Sequence, residues 1–217
     1  DPTWSPAANP ASGSADPICP GIEFTAWTTP CWNGAAVQAI PFTDVNASWQ
    51  LLPVSWLVAN DITTGTSPTT FNPNGYVTRA QAATFVWRMA GSPEPSPNAP
   101  NFDDVRLDAY YRDAVRWMAE SGITTGTSDT TFSPGGVATR AELVTFLWRL
   151  VDRPAVGNPD QFTDLTASWQ RGPVGWAASV GVTTGTTATT FDPNSPVTRG
   201  QTAAMLKRLA DALGETA

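Results

Sequence analysis

The chain contains no histidine. That absence removes the commonest general base and the commonest zinc ligand together. Cysteine is scarce: Cys19 and Cys31 are the only two, in a stretch crowded with proline, glycine and tryptophan. Two thiols without histidine are too few for a structural zinc site. They point instead to a disulfide in an oxidising compartment rather than to free thiols, and such a bridge would stabilise by about 3 kcal/mol. Charge is also sparse, at 14% of residues, and leans acidic, with 19 Asp/Glu against 12 Lys/Arg. A formal net charge of −7 lacks the basic face that nucleic acid requires and disfavours anionic lipid. No apolar run reaches the ~18 residues of a membrane span, so membrane insertion is not expected. The G-x-S-x-G elbow of serine hydrolases is missing. The adjacent carboxylates Asp103 and Asp104 occur once only, which is a poor start for a glycosidase pair. Neither an enzyme nor a cofactor is expected.

What the chain has is repetition. "PFTDV" at Pro41–Val45 returns as "NFDDV" at Asn101–Val105 and "QFTDL" at Gln161–Leu165. "GTSPTTFNPNGYVTRAQ" (Gly65–Gln81) returns as "GTSDTTFSPGGVATRAE" (Gly126–Glu142) and "GTTATTFDPNSPVTRGQ" (Gly185–Gln201). The organisation is therefore a Pro/Ser-rich arm with a small Cys-stapled segment at 1–40, then copies at 41–100, 101–160 and 161–217. The Pro-rich "GSPEPSPNAP" separates the first two copies.

Each copy reads as helix, loop, helix. In the first copy the opening helix is expected from about Gln50 to Asn60, with Pro53 (and Pro173 in the third copy) in the first turn, where a missing N–H is tolerated. Trp56, Trp117 and Trp176 are expected in the core, and Phe71, Phe132 and Phe191 are the large apolar anchors of the loops. Thr78, Thr139 and Thr198, followed three residues later by Gln81, Glu142 and Gln201, form capping boxes that open the second helix. Its stripe Ala82, Phe85, Val86 and Met89 faces inward. One such unit cannot bury its own apolar surface, so the copies must share a single all-α core.

Capping by these threonines puts Arg79, Arg140 and Arg199 at the first helical position, against the positive end of the dipole, at a cost of about 0.3–1 kcal/mol when exposed. Arg88, Arg149 and Arg208, near the helix ends, are where the dipole welcomes cations. Two explanations fit the first-turn arginines. One is a salt bridge to Asp44, Asp104 or Asp164. The other, favoured by the threefold recurrence, is an anion site in which free helix-start N–H groups and a guanidinium fork receive a carboxylate or phosphate. An anion site predicts that arginine-to-alanine changes leave stability unchanged or slightly improved. Trp49, Tyr110 and Trp169, at the edge of the first helix, are candidates for stacking on a sugar. Thr64–Gly65, Thr125–Gly126 and Thr184–Gly185 either stop a helix or let a ligand approach the backbone.

F-x-D-V, the W-to-G-I-T-T-G segment, F-x-P and T-R-A-Q/E, in this order three times, resemble the S-layer homology (SLH) family over about residues 41–213. The third copy departs with "TRGQ", and the first has "NDI" at Asn60–Ile62 where the others have "SGI" and "VGV". The resemblance implies three repeats in a pseudo-threefold, three-pronged spindle around central helices. It also implies inter-repeat grooves that bind an acidic, pyruvylated secondary cell-wall polysaccharide, with the arginines as binding residues. The expected setting is extracellular, at the bacterial cell wall or S-layer. The alternative is a structural or protein-interaction scaffold without glycan binding, and other surface-layer subunits are further candidate partners.

Overall fold

A computed structural model describes residues 40–155 and 160–214. Cys19, Cys31 and the arm lie outside these described residues. Among the described residues six helices form: α1 (Ser48–Ala59), α2 (Arg79–Met89), α3 (Arg112–Glu120), α4 (Arg140–Leu150), α5 (Ser168–Ser179) and α6 (Arg199–Ala212). Among the described residues the only extended pairing is isolated bridges, so the fold is all-α, as expected.

The second helices begin where their capping residues dictate. Thr78, Thr139 and Thr198 each accept from the N3 amide, while Gln81, Glu142 and Gln201 accept in return from the N-cap amide. The first helices are less regular. Pro53 and Pro173 lie inside α1 and α5 rather than in their first turns. The carbonyls thereby left without a donor belong to Trp49 and Trp169, each about half-exposed, where water can serve them. α1 closes on a Schellman pair, Ile62 N–H to Leu57 O (2.8 Å) and Asp61 N–H to Val58 O (3.2 Å). The left-handed residue this motif requires is Asp61 (φ 55°), where the other copies use Gly122 (φ 66°) and Gly181 (φ 79°). The "NDI" departure is thus a non-glycine residue holding a glycine conformation.

The copies interlock instead of stacking side by side. α3 packs on α2, α5 on α4, and α1 on α6, while α2, α4 and α6 touch one another. Each first helix therefore completes the second helix of the copy before it, and the first copy completes the third. The backbone closes the same circuit just ahead of α2, α4 and α6: Val77 N–H donates to Val197 O (3.0 Å), Val197 N–H to Ala138 O (3.0 Å) and Ala138 N–H to Val77 O (2.8 Å). Around this circuit lies one core holding Trp56, Trp117, Trp176, the three loop phenylalanines and the stripe Ala82, Phe85, Val86 and Met89. The Pro-rich stretch between copies one and two is tied to α3 by Arg116, whose Nη2 donates to the carbonyls of Ser96 (3.0 Å), Pro97 (3.1 Å) and Ala99 (3.3 Å).

Candidate ligand-binding grooves

The site is built around the loop phenylalanines. Each is fully buried (0% exposed) and is gripped from two sides. On its amide side stands the aspartate of its own copy. Asp44 accepts from Phe71 N (2.8 Å) and Asn72 N (2.7 Å), Asp104 from Phe132 N (2.8 Å) and Ser133 N (2.7 Å), and Asp164 from Phe191 N (2.9 Å) and Asp192 N (2.7 Å). On its carbonyl side stands the arginine of the preceding copy. Arg79 Nε donates to Phe132 O (2.8 Å), Arg140 Nε to Phe191 O (2.9 Å), and Arg199 Nε closes the circuit on Phe71 O (2.6 Å). The guanidinium carbons lie 4.8, 4.6 and 4.6 Å from the centroids of the same three rings, within cation–π range.

This arrangement corrects two expectations. No ion pair joins Arg79, Arg140 or Arg199 to Asp44, Asp104 or Asp164 among the described residues; a phenylalanine peptide stands between each aspartate and arginine. The helix starts are not free anion receptors either. Arg79 N–H donates to Gly136 O (2.7 Å) and Ala80 N–H to Pro134 O (3.0 Å), with equivalent bonds from α4 to Ser195 and Pro193 and from α6 to Gly75 and Pro73. Those carbonyls from the following copy also offset the positive dipole end that made the arginine placement look costly. Each arginine is 5% exposed and fastens one copy to the next, so alanine replacements must destabilise.

The glycine of "TTG" takes a third role that the pattern did not suggest. The helix has already stopped at Asp61, and Gly65 turns with φ 82° where an added Cβ would lie 2.4 Å from the Phe42 ring and 2.5 Å from Thr70 O. Its side-chain space is filled by its own copy.

Between copies the structure leaves a groove of about 250 Å³. Arg79 of the first copy, Thr125 and Gly126 of the second and Trp169 of the third all line it, which brings four expected residues together from three copies. Glu142, Thr145, Phe146 and Arg149 form its remaining wall with Thr124. The four α4 residues went unrecognised as groove residues, although their spacing of i, i+3, i+4 and i+7 was a legible signal of one helix face.

The corresponding residues at the other two copy junctions follow the same register. Tyr110 lies close enough to Arg199 and Arg88 for their charges to bear on its phenol; burial and Tyr111 push its pKa up, against the pull of the two cations. Trp49 sits over the start of α6, its ring 3.2 Å from where a Cβ on Gly200 would be. The "TRGQ" glycine thus makes room for Trp49, Gln50 and the Pro73 carbonyl. Burial pushes the guanidinium pKa of Arg140 down, opposed by Asp192 and Asp164, and does the same to Arg199, opposed by Tyr110 and Asp44. The Nη atoms of these two arginines make no hydrogen bond among the described residues, and none is sealed from solvent. Their outer edges are therefore available to an anion.

Comparison with known proteins agrees with the repeat pattern. The S-layer homology domain matches at residues 41–83, 101–144 and 161–203. The chain is 32% identical over 75% of its length to the Surface-layer 125 kDa protein of Lysinibacillus sphaericus, spanning 14% of that protein. It is 27% identical over 88% of its length to the S-layer protein of Bacillus thuringiensis subsp. finitimus, spanning 24% of it. A Cellulosome-anchoring protein of Acetivibrio thermocellus is 25% identical over 64% of the chain, which spans 33% of that relative. The chain thus spans about a seventh, a quarter and a third of the length of these three relatives. With three matches in tandem covering more than half of its residues, the chain belongs to the S-layer homology domain family.

Proposed function

We propose that the chain is a noncatalytic anchoring module that works at the bacterial cell surface. It holds an acidic, pyruvylated secondary cell-wall polysaccharide in its inter-copy grooves and so tethers a surface protein to the wall. The observation that carries this reading is the state of Arg140 and Arg199. Each guanidinium is positioned by its Nε bond and its stacking on phenylalanine, yet its Nη edge is unpartnered. A positioned, desolvated fork is suited to a planar carboxylate, the group that a pyruvate ketal presents. An exposed aromatic face beside each (Trp49 for Arg140 and Tyr110 for Arg199, 52% and 66% exposed) offers stacking for a sugar ring. The site is an open groove rather than an enclosed pocket, which suits residues along a polymer. Asp44, Asp104 and Asp164 contribute indirectly, by holding the loops on which the arginines rest.

A second role is favoured by a separate observation. α1 exposes Leu51 and Leu52 side by side, an apolar edge that suits contact with other surface-layer subunits.

Purified cell-wall sacculi, with and without acid extraction of their secondary polymer, test the anchoring reading. The protein should sediment with intact sacculi and stay in solution with stripped ones. Equal sedimentation with both would reject a glycan ligand.

A further inference from the structure

The three grooves share a backbone but not a charge pattern. Arg79 Nη1 donates to Glu142 Oε1 at 2.5 Å, and Glu142 uses its other oxygen, Oε2, to cap Thr139 N–H (2.8 Å). Glu142 is the N3 residue of α4, the helix that follows the loop on which Arg79 rests. By the same path Arg140 rests on the loop preceding α6, whose N3 residue is Gln201, and Arg199 on the loop preceding α2, whose N3 residue is Gln81. Both glutamines spend Oε1 on the N-cap amide (3.1 Å each). Only a donor, Nε2, is left where Glu142 presents an acceptor. Neither Arg140 nor Arg199 has an ion-pair partner among the described residues.

We infer that the grooves are unequal: Glu142 already occupies the anion position of the Arg79 groove, whereas the Arg140 and Arg199 grooves are the ones that accept a carboxylate from outside. The inference rests on the acidic-glycan reading above and refines it. A ligand carboxylate approaching Arg79 must displace a bonded carboxylate that α4 holds in place through the Thr139 cap. One approaching Arg140 or Arg199 meets an unpaired guanidinium edge and a neighbouring amide donor. Capping gives no reason for the difference, because Gln and Glu both complete the box in this molecule. Exchanging them therefore alters groove charge while keeping the helix start.

The test uses the full chain, its aromatic side-chain NMR signals, and two probes: a methyl hexoside carrying a 4,6-O-pyruvate ketal, and the same hexoside without it. Trp49 reports the Arg140 groove, Tyr110 the Arg199 groove and Trp169 the Arg79 groove. Titration with the ketal should move Trp49 and Tyr110 and leave Trp169 still; the neutral hexoside should bind about ten- to a hundredfold more weakly. Glu142→Gln should bring Trp169 into the response. Gln201→Glu should silence Trp49 alone, and Gln81→Glu should silence Tyr110 alone, with melting temperatures close to that of the parent. A Trp169 response equal to that of Trp49 in the parent, or none in Glu142→Gln, overturns the inequality but leaves the glycan reading standing. If the ketal moves no signal, or moves them no more than the neutral sugar does, the glycan reading itself fails and the inference falls with it.

Discussion

The second helices α2, α4 and α6 and the first helices α1, α3 and α5 repeat the same architecture under different constraints. All three second helices start with an arginine behind a capped threonine and bury most of their length. The first helices share only a tryptophan and a few neighbours on one face. Leu51 and Leu52 in the first copy correspond to Arg112 and Asp113 in the second and to Arg171 and Gly172 in the third. α1 and α5 carry an internal proline, and α3 starts later, at Arg112. The reason lies in the number of partners. A second helix touches its two counterparts and a first helix from the next copy, whereas a first helix packs on one second helix alone. Positions with partners on several sides cannot drift, and those facing water can.

Removing a side chain from the shared centre should have the largest effect. Phe132→Ala deletes a fully buried ring beneath Arg79 and should cost about 3–5 kcal/mol. Leu52→Ala on the outer helix, at 51% exposure, should stay within about 0.5 kcal/mol. Urea denaturation of both variants checks the contrast; similar losses would mean that inner and outer helices are equally constrained.

Next in size is Arg140→Ala, which loses both a bond from a charged donor to Phe191 O and the stacking on that ring. A loss of about 2–4 kcal/mol is expected. Arg140→Lys should recover only part of it, because lysine has no Nε–H and no planar fork. Thermal melts of the two variants decide the matter. A slight gain in stability from the alanine variant, as the helix dipole alone would give, would remove the arginine from its structural role.

That reversal shows what the sequence could and could not convey. Helix starts were legible because the cap lies within four residues of chain, and the buried faces were legible from their period. The partners of Arg79, Arg140 and Arg199 were not, since each lies in another copy, with Arg199 and Phe71 128 residues apart. The salt bridge to aspartate and the free helix-start amides failed for that reason. Trp169, Arg79 and Gly126 were each identified as candidates, yet their meeting in one groove depends on packing between copies that no local pattern encodes.

The helix ends should show a smaller effect. Asp61 holds the left-handed conformation for which the other copies use Gly122 and Gly181. Asp61→Gly should therefore stabilise by about 0.5–1 kcal/mol, the strain released slightly exceeding the added chain entropy. Destabilisation in a urea titration would mean that the Asp61 side chain makes a contribution of its own.

Each copy is completed by the next in a closed circuit, so that neither the core nor any groove exists within a single copy. The most direct measurement is the thermal unfolding of a chain truncated after residue 160, which lacks α5 and α6. Without α6, α1 has no partner; without Phe191, Arg140 has no carbonyl to hold; and without α5, the groove at Arg79 loses Trp169. The full chain should unfold in one sharp transition, while the truncated chain shows no cooperative transition and no sedimentation with intact sacculi. A truncated chain that melts as sharply as the full one would contradict the closed circuit and mean that the copies fold as separate beads.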